Sequence, residues 1–488
     1  MGTIQTQNLS FTYPGADHPL FDHLSVNLDD HWKLGLIGRN GRGKTTFLKL
    51  LLGQLEAHGA VHASVPFTYF PSDQPQGHAT VMQVLTATGA PEWRASVELA
   101  RIGLDTLDPQ RPFTSLSGGE QTRVLLARGF VNDRDFPLID EPTNHLDIAG
   151  RQLVGRYLRQ KRGFICVSHD ESFLNSFVDH VMSLNRSSVD LVAGTVDAWK
   201  ADKAHRDHRA KAQNQQLQAD IHRLTTRTNV QRQWAEQREA QSSDAASRRS
   251  AAKLMRRAKA FEDRTQAVVA KRQGLLQDVD QSGELTTSLQ TGQGHRLLIS
   301  LRQVTIQRDH QPLFSPVDLD FHQGDRLAIL GANGCGKTSL IQVLLGQIDL
   351  PHTGYLLNQL PADVAVLAQD FSTPIRQLTP ADWGDAQERT RVWNLMHQLG
   401  VSRERLRAPA AQWSMGEAKK AALARTLSHP HALVVWDEPT NYLDIVAREQ
   451  LITLIQTVQP TLIIIDHDQH FLTATCSQQL ALQPAAEH

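Results

Sequence analysis

Four hundred and eighty-eight residues exceed what one hydrophobic core supports, and 40% apolar with 21% charged residues is a globular composition, neither disordered nor fibrous. A net charge of −1 excludes a generally basic nucleic-acid binder, and three widely spaced cysteines, Cys166, Cys335 and Cys476, exclude a disulfide framework or a structural zinc. No apolar run is long enough to span a membrane and residues 1–10 lack a signal-peptide pattern, so the expected compartment is the cytoplasm.

The first predicted strand with chemistry behind it is the apolar run 34–37. It leads into Gly38-Arg-Asn40-Gly41-Arg-Gly43-Lys44-Thr45 and then a helical pattern over 46–52. This fits G-x-x-x-x-G-K-[ST], in which glycines let backbone N–H groups curl around phosphates at a helix N-terminus. Lys44 is placed to bridge the β- and γ-phosphates, and Thr45 to offer its hydroxyl to Mg²⁺. A second apolar strand, 136–140, ends in Asp140-Glu141, adjacent carboxylates that point to opposite faces and can divide two tasks: Asp140 for Mg²⁺, Glu141 to polarise an attacking water. A third, 164–167, ends in Ser168-His169-Asp170.

From 198 to 280 the chain changes character: 18 Lys/Arg against 10 Asp/Glu give a surplus of 8, so the remainder carries −9. Proline is absent from 200–281, and Leu217, Ile221, Leu224, then Phe261, Val268, Leu275 and Val279, form one apolar stripe per predicted helix. Small polar residues over 241–250 mark the turn of a helical hairpin, each arm about 40–60 Å long at about 1.5 Å per residue. Arg248, Arg249, Lys253, Arg256, Arg257 and Lys259 put six cations and no acid into twelve positions near that turn, a pattern suited to nucleic-acid phosphates and equally to a solvated face.

The first pattern then recurs. Gly331-Ala-Asn333-Gly334-Cys-Gly336-Lys337-Thr338 follows a strand at 327–330, Asp437-Glu438 ends another and His467 a third; the spacings Lys44–Lys337, Asp140–Asp437 and His169–His467 are 293, 297 and 298 residues. Two copies of one nucleotide-binding α/β domain follow, with buried parallel strands. Within the second loop, Cys335 lies beside a helix N-terminus, a setting expected to lower a thiol pKa and to make it reactive.

Leu116-Ser117-Gly118-Gly119-Glu120-Gln121 and Trp413-Ser414-Met415-Gly416-Glu417 resemble the signature sequence of the ATP-binding-cassette superfamily, and Glu-Pro-Thr-Asn-x-Leu-Asp at 141–147 and 438–444 resembles its ABC-F branch. The fold implied is two P-loop cassettes (1–199 and 291–488) joined by an antiparallel coiled-coil hairpin (200–290), monomeric, with the cassettes paired head to tail within one chain. The resemblance implies ATP and Mg²⁺ at two composite sites. Site one joins Gly38, Asn40, Gly41, Gly43, Lys44, Thr45, Thr46, Asp140, Glu141 and His169 to Ser414 and Gly416; site two joins Gly331, Asn333, Gly334, Gly336, Lys337, Thr338, Ser339, Gln369, Asp437, Glu438 and His467 to Ser117 and Gly119. Thr45 and Asp140, and Thr338, Gln369 and Asp437, are the implied Mg²⁺ ligands; Tyr13, and Arg308 in its place in the second half, the implied adenine-stacking groups. Ser72 stands where the family commonly has glutamine and Met415 departs from the signature, both in site one, so unequal sites are expected. The branch further implies a linker that enters the ribosomal exit site, near 23S rRNA and tRNA. Residues 31–45, 136–147 and 413–416 resemble the Lsa-like group, which protects ribosomes from lincosamides, streptogramin A and pleuromutilins. A housekeeping translation role and the ATPase subunit of an importer are the alternatives.

Overall fold

In the computed structural model, the described residues are 2–14, 18–72, 78–143, 146–185, 189–240 and 294–485, with scattered positions between 259 and 292. Two compact units separate: Met1–Val196 with Ser282–His488, and Asp197–Gln281.

In the first half of the larger unit, β1 (Thr3–Phe11), β2 (Phe21–Asp29) and β4 (His58–Ala63) make an antiparallel sheet in the order β2-β1-β4. Six strands, β3 (Lys33–Gly38), β5 (Phe67–Phe70), β6 (Phe136–Asp140), β7 (Phe164–Val167), β8 (His180–Leu184) and β9 (Val189–Ala193), make the second, ordered β5-β6-β7-β3-β8-β9 and parallel except at β9. Every position of β6 and β7 is buried, which is why those runs are apolar without alternation. The order β6-β7-β3 sets three carboxyl ends side by side, and these ends carry Asp140, His169 and the phosphate loop.

The second half repeats the plan. β10 (Leu297–Arg308), β11 (Gln311–Pro312), β12 (Val317–His322) and β14 (His352–Asn358) are antiparallel; β13 (Arg326–Gly331), β15 (Val364–Leu367), β16 (Leu433–Asp437), β17 (Leu462–Ile465) and β18 (Gln478–Leu482) run parallel in the order β15-β16-β17-β13-β18. Leu289 is buried in this half's core with Leu285 against it, and Ser288 N–H donates to the Leu427 carbonyl at 3.2 Å. These residues, assigned to the linker on composition, belong by their contacts to the second half.

The halves differ inside. In the first, Glu98, 5% exposed, accepts from Tyr157 Oη at 2.5 Å, from Arg101 Nη1 at 3.0 Å and from Lys161 Nζ. Lys161 also lies over the Phe130 and Tyr157 rings. Positions 297 further on are Leu454 and Val458, so an ionic cluster stands where the second half is apolar. Removing one partner of a buried pair strands the other charge, at a cost of about 3 kcal/mol or more. Lys161→Met should therefore lower the first urea transition by about that much, and Val458→Met by far less.

One helix, Val196–Ala240, 45 residues and about 68 Å long, has all but its first residue in the smaller unit, starts four residues before the expected boundary at 200 and is longer than the expected arm. Among its less exposed positions, Lys203, Asp207, Ala210, Asn214, Leu217, Ile221, Leu224 and Thr228 alternate steps of four and three, with Asp220 next to the series. That is the 3.5-residue period of a coiled-coil seam, with polar residues at half of its positions. Arg248, Arg249, Lys253, Arg256 and Arg257 lie outside the described residues; Lys259 is helical and exposed.

Candidate functional site

Both phosphate loops close by the same geometry. Gly41 and Gly334 each have φ 80° with open space where a Cβ would be, so only the backbone conformation demands glycine there. At Gly43 a Cβ would also meet Leu20 and Phe21 at 2.8 Å. The helices that follow, Lys44–Leu51 and Lys337–Leu344, have no side-chain cap, which leaves their first N–H groups aimed into the loop. Lys44 Nζ donates to the Gly38 carbonyl at 2.7 Å, and Lys337 Nζ to the Gly331 and Ala332 carbonyls at 2.9 Å. Each ammonium thus spans its own loop. Thr45 Oγ1 donates to Asp140 Oδ2 at 2.7 Å and Thr338 Oγ1 to Asp437 Oδ2 at 3.0 Å, which brings together the expected Mg²⁺ ligands of site one and two of the three of site two, Gln369 being turned to Glu438. Thr46 and Ser339 are buried one position on.

Glu141 and Glu438 follow at φ 52° and 51°, a left-handed conformation that a glutamate adopts only under constraint. The constraint is a backbone bond in each case: Glu141 N–H to the Val167 carbonyl at 2.9 Å, Glu438 N–H to the Ile465 carbonyl at 2.7 Å. The neighbouring strand thereby turns the carboxylate out of the sheet. Burial raises both carboxyls above the ordinary glutamate range, Lys44 opposing the shift at Glu141, and burial pushes Asp437 up to about 6. Burial, aided by Lys337 and Arg151, brings His467 down to about 4, and His169 falls well below its usual value for the same first reason, so both imidazoles are neutral at pH 7. The glutamates are held differently. Glu141 Oε1 lies 3.4 Å from His169 Nε2, whereas Glu438 accepts from Gln369 Nε2 at 3.2 Å and Asn441 Nδ2 at 2.6 Å.

Each half is completed by the other. Asn40, Gly41, Glu141 and His169 line a cavity of about 270 Å³ with Ser414, Gly416 and Tyr442. Asn40 is bonded across the boundary: its N–H donates to Asp444 Oδ2 at 3.1 Å and its Nδ2 to the Tyr442 carbonyl at 2.7 Å. A Cβ on Gly416 would lie 2.8 Å from Asn40 Nδ2 and 3.0 Å from the Tyr442 carbonyl oxygen, so a side chain there would displace this contact. Asn333, Gly334, Lys337, Gln369, Glu438 and His467 line a cavity of about 950 Å³ with Ser117 and Gly119. Ser117 and Ser414 cap their helices through Glu120 and Glu417. Buried polar atoms without partners, Glu141 Oε1 and both ring nitrogens of His467, together with the uncapped helix starts, fit a polar, anionic occupant.

Tyr13 is half-exposed, its ring edge-on to Phe11 and its hydroxyl 2.8 Å from Thr46 Oγ1. Arg308 is exposed at the end of β10 opposite Gln311; Leu313 and Phe314 are what Gly336 packs against. Ser72 accepts from Arg128 Nη1 at 3.4 Å.

Several residues escaped the sequence. Tyr69 Oη donates to Asp140 Oδ2 at 3.2 Å in site one, where the corresponding position of β15 is Val366. Lys419 is fully buried in the site-two wall, 4.4 Å from the Phe371 ring centroid, and burial brings it down to about 8. Lys420 Nζ holds Asp444 Oδ2 at 2.9 Å, both buried. For the lysines the only signal was their replacement of Thr122 and Arg123, the two residues that follow the other signature.

The expectation for Cys335 fails. Its side chain is 4% exposed, and burial raises the thiol, outweighing Lys337 and the helix amides. Cys166 is fully buried and raised, and burial takes Cys476 up to about 11. Native protein at pH 7 should therefore react slowly with maleimide at all three thiols, with or without ATP, and faster as rising pH forms thiolate. Three equivalents should react at once in guanidinium, as a thiol assay would show.

The sequence pattern of the ABC transporter family matches residues 21–144 and 314–441. The chain is 27% identical over 495 residues to ribosome protection protein VmlR of Bacillus subtilis (strain 168), covering 96% of this chain and 85% of that one. It is 31% identical over 489 residues to ATP-binding protein Uup of Caulobacter vibrioides, covering 95% and 75%. In fold it is similar to the archaeal ribosome recycling factor aABCE1, solved with the ribosomal stalk protein aP1, at a TM-score of 0.61 and 16% identity over 97% of this chain and 87% of that one.

Proposed function

Because this chain belongs to the ABC-F branch of the ATP-binding-cassette superfamily and is an ATPase, we propose that it is a cytoplasmic, monomeric translation factor that binds the ribosome, uses ATP to clamp its two cassettes and hydrolysis to release them, and protects the ribosome from antibiotics acting near the peptidyl-transferase centre. The supporting observation is a helix of 45 residues with a coiled-coil period, followed in sequence by the basic run of residues 248–259, in a chain similar along almost its whole length to a protein named for ribosome protection. Among the described residues no helix is long and apolar enough to cross a membrane.

ATP would lie with its phosphates in one loop and its γ-phosphate facing the other half's capped serine and glycine, Ser414 and Gly416 or Ser117 and Gly119. Mg²⁺, when bound, would be held by Thr45 and Asp140, or by Thr338, Asp437 and Gln369, and would supply neutralising charge at the phosphate oxygens. The chain's own part is to orient. Glu141 and Glu438, fixed by strained backbone, take a proton from the attacking water; His169 and His467, neutral at working pH, offer a hydrogen bond rather than a repelling or attracting charge. Adenine would rest near Tyr13 or Arg308. The basic residues Arg248, Arg249, Lys253, Arg256, Arg257 and Lys259 would contact 23S rRNA phosphates, with tRNA beside them.

Site two keeps a glutamine on its glutamate, whereas in site one Tyr69 occupies an Asp140 oxygen and Ser72 turns to Arg128. Glu438→Gln should accordingly slow steady-state phosphate release more than Glu141→Gln does.

The double Glu141→Gln, Glu438→Gln variant should bind ATP without releasing it and accumulate on ribosomes in a sucrose gradient. Reversing Arg248, Arg249, Arg256 and Arg257 to Glu in that background should return it to the soluble fraction, and binding should weaken with salt. A trapped variant that stays at the top of a low-salt gradient overturns the ribosome reading. Expression in a susceptible bacterium separates protection from a housekeeping role: resistance to lincosamide, streptogramin A or pleuromutilin supports the former, and unchanged susceptibility the latter.

A further inference from the structure

Two arginines absent from both expected sites stand 297 residues apart, Arg151 and Arg448, each in the first turn of the helix that follows Asp147 or Asp444. Each is tethered inside its own cassette. Arg151 Nη1 donates to Asp170 Oδ2 at 2.8 Å and Nε to the Leu146 carbonyl at 3.2 Å; Arg448 Nη1 donates to Asp468 Oδ2 at 2.8 Å and Nη2 to the Thr440 carbonyl at 3.0 Å. Asp170 and Asp468 directly follow His169 and His467, and their other oxygens cap the next helix through Phe173 N–H and Phe471 N–H. Both guanidinium groups are therefore held firmly behind their own cassette's histidine.

Both arginines also line the opposite cassette's site. Arg448, of the second cassette, lines the site-one cavity with Glu141 and His169; Arg151, of the first, lines the site-two cavity with Glu438 and His467 and also reaches the wall of site one. The charges act along the same crossed lines, Arg448 on Glu141 and His169, Arg151 on Glu438 and His467. Arg448 Nε is buried with no hydrogen-bond partner, a donor left over after the tether is made. A planar fork with five donors can hold an aspartate on one edge and act on a second anion from another, which a lysine ammonium on its flexible stem does not reproduce.

We propose that Arg448 and Arg151 are positioning residues that work across the cassette boundary: each, anchored to the aspartate behind its own histidine, orients the glutamate and histidine of the opposite ATP site. Each site then senses whether the other cassette's histidine segment is in place. The inference rests on the reading that each site hydrolyses ATP with its own glutamate.

The test resolves the two sites in one chain: vanadate trapping of 8-azido-ATP, photolabelling, and peptide mapping of label near loop 38–45 or loop 331–338. Arg448→Lys should lose about tenfold of its trapping at loop 38–45 while keeping it at 331–338, and Arg151→Lys should show the reverse. Binding of a fluorescent ATP analogue and the thermal midpoint should stay near wild type, a KM-against-kcat split that loss of structure would not produce. Asp468→Asn, which loosens the tether but keeps a helix cap, should weaken trapping at loop 38–45 and serves if Arg448→Lys does not fold. Loss at the mutated cassette's own loop, equal loss at both loops, or no loss overturns the inference. Glu141→Gln and Glu438→Gln are the controls: if they do not lose trapping at their own loops, the underlying reading of the glutamates fails instead.

Discussion

A loop of backbone N–H groups can enclose a phosphate from one side only, and in this molecule each such loop is faced by residues of the opposite half. The boundary between the halves is accordingly polar. Its best-defined point is Asp444, a fully buried carboxylate held by Lys420 of its own half, by Ala447 N–H at the start of the next helix, and by the N–H of Asn40 in the opposite loop. These partners keep its pKa below the ordinary aspartate range in spite of burial. A buried, well-satisfied ionic contact adds little net stability against an apolar alternative, but it fixes register, and register is what two half-sites need.

The two sites are built on one plan and finished differently. In site one the first loop already touches the second half and the cavity is small; in site two the cavity is larger, and a glutamine and an asparagine hold the glutamate. The differences come from single residues at matching positions, on a strand (Tyr69 against Val366), just past it (Ser72 against Gln369) and on the helix after the capped serine (Thr122 against Lys419). None alters the sheet. All of them alter what faces the carboxylate pair, so the duplicated fold is free to diverge in chemistry while its strand order stays fixed.

Strain and burial are concentrated where phosphate chemistry would occur. Both glutamates adopt a conformation costing of order 1–3 kcal/mol, and each is partly buried next to a buried aspartate. Neighbouring strands β7 and β17 hold them there through one backbone bond each. The apolar parallel sheet thus does more than fill the core, since its rigidity keeps a carboxylate in a position it would not otherwise hold.

The amino-acid sequence by itself determined what depends on local pattern: the two phosphate loops, the carboxylate pairs and histidines at strand ends, the repeat that relates them, and a helical segment rich in cations. The loops could be read because glycine at fixed spacing has few other uses, and the buried parallel strands because they lack alternation. Only the tertiary structure decided which groups meet. Nothing in the order of residues puts Asn40 against Tyr442 or Arg448 beside Glu141, since those contacts span some four hundred and three hundred positions and exist only once two sheets are folded and opposed. Cys335 shows the same limit from the other side. Its neighbours in sequence, a lysine and a helix N-terminus, favour thiolate, but the fold buries the sulfur against Gly331, and desolvation outweighs both.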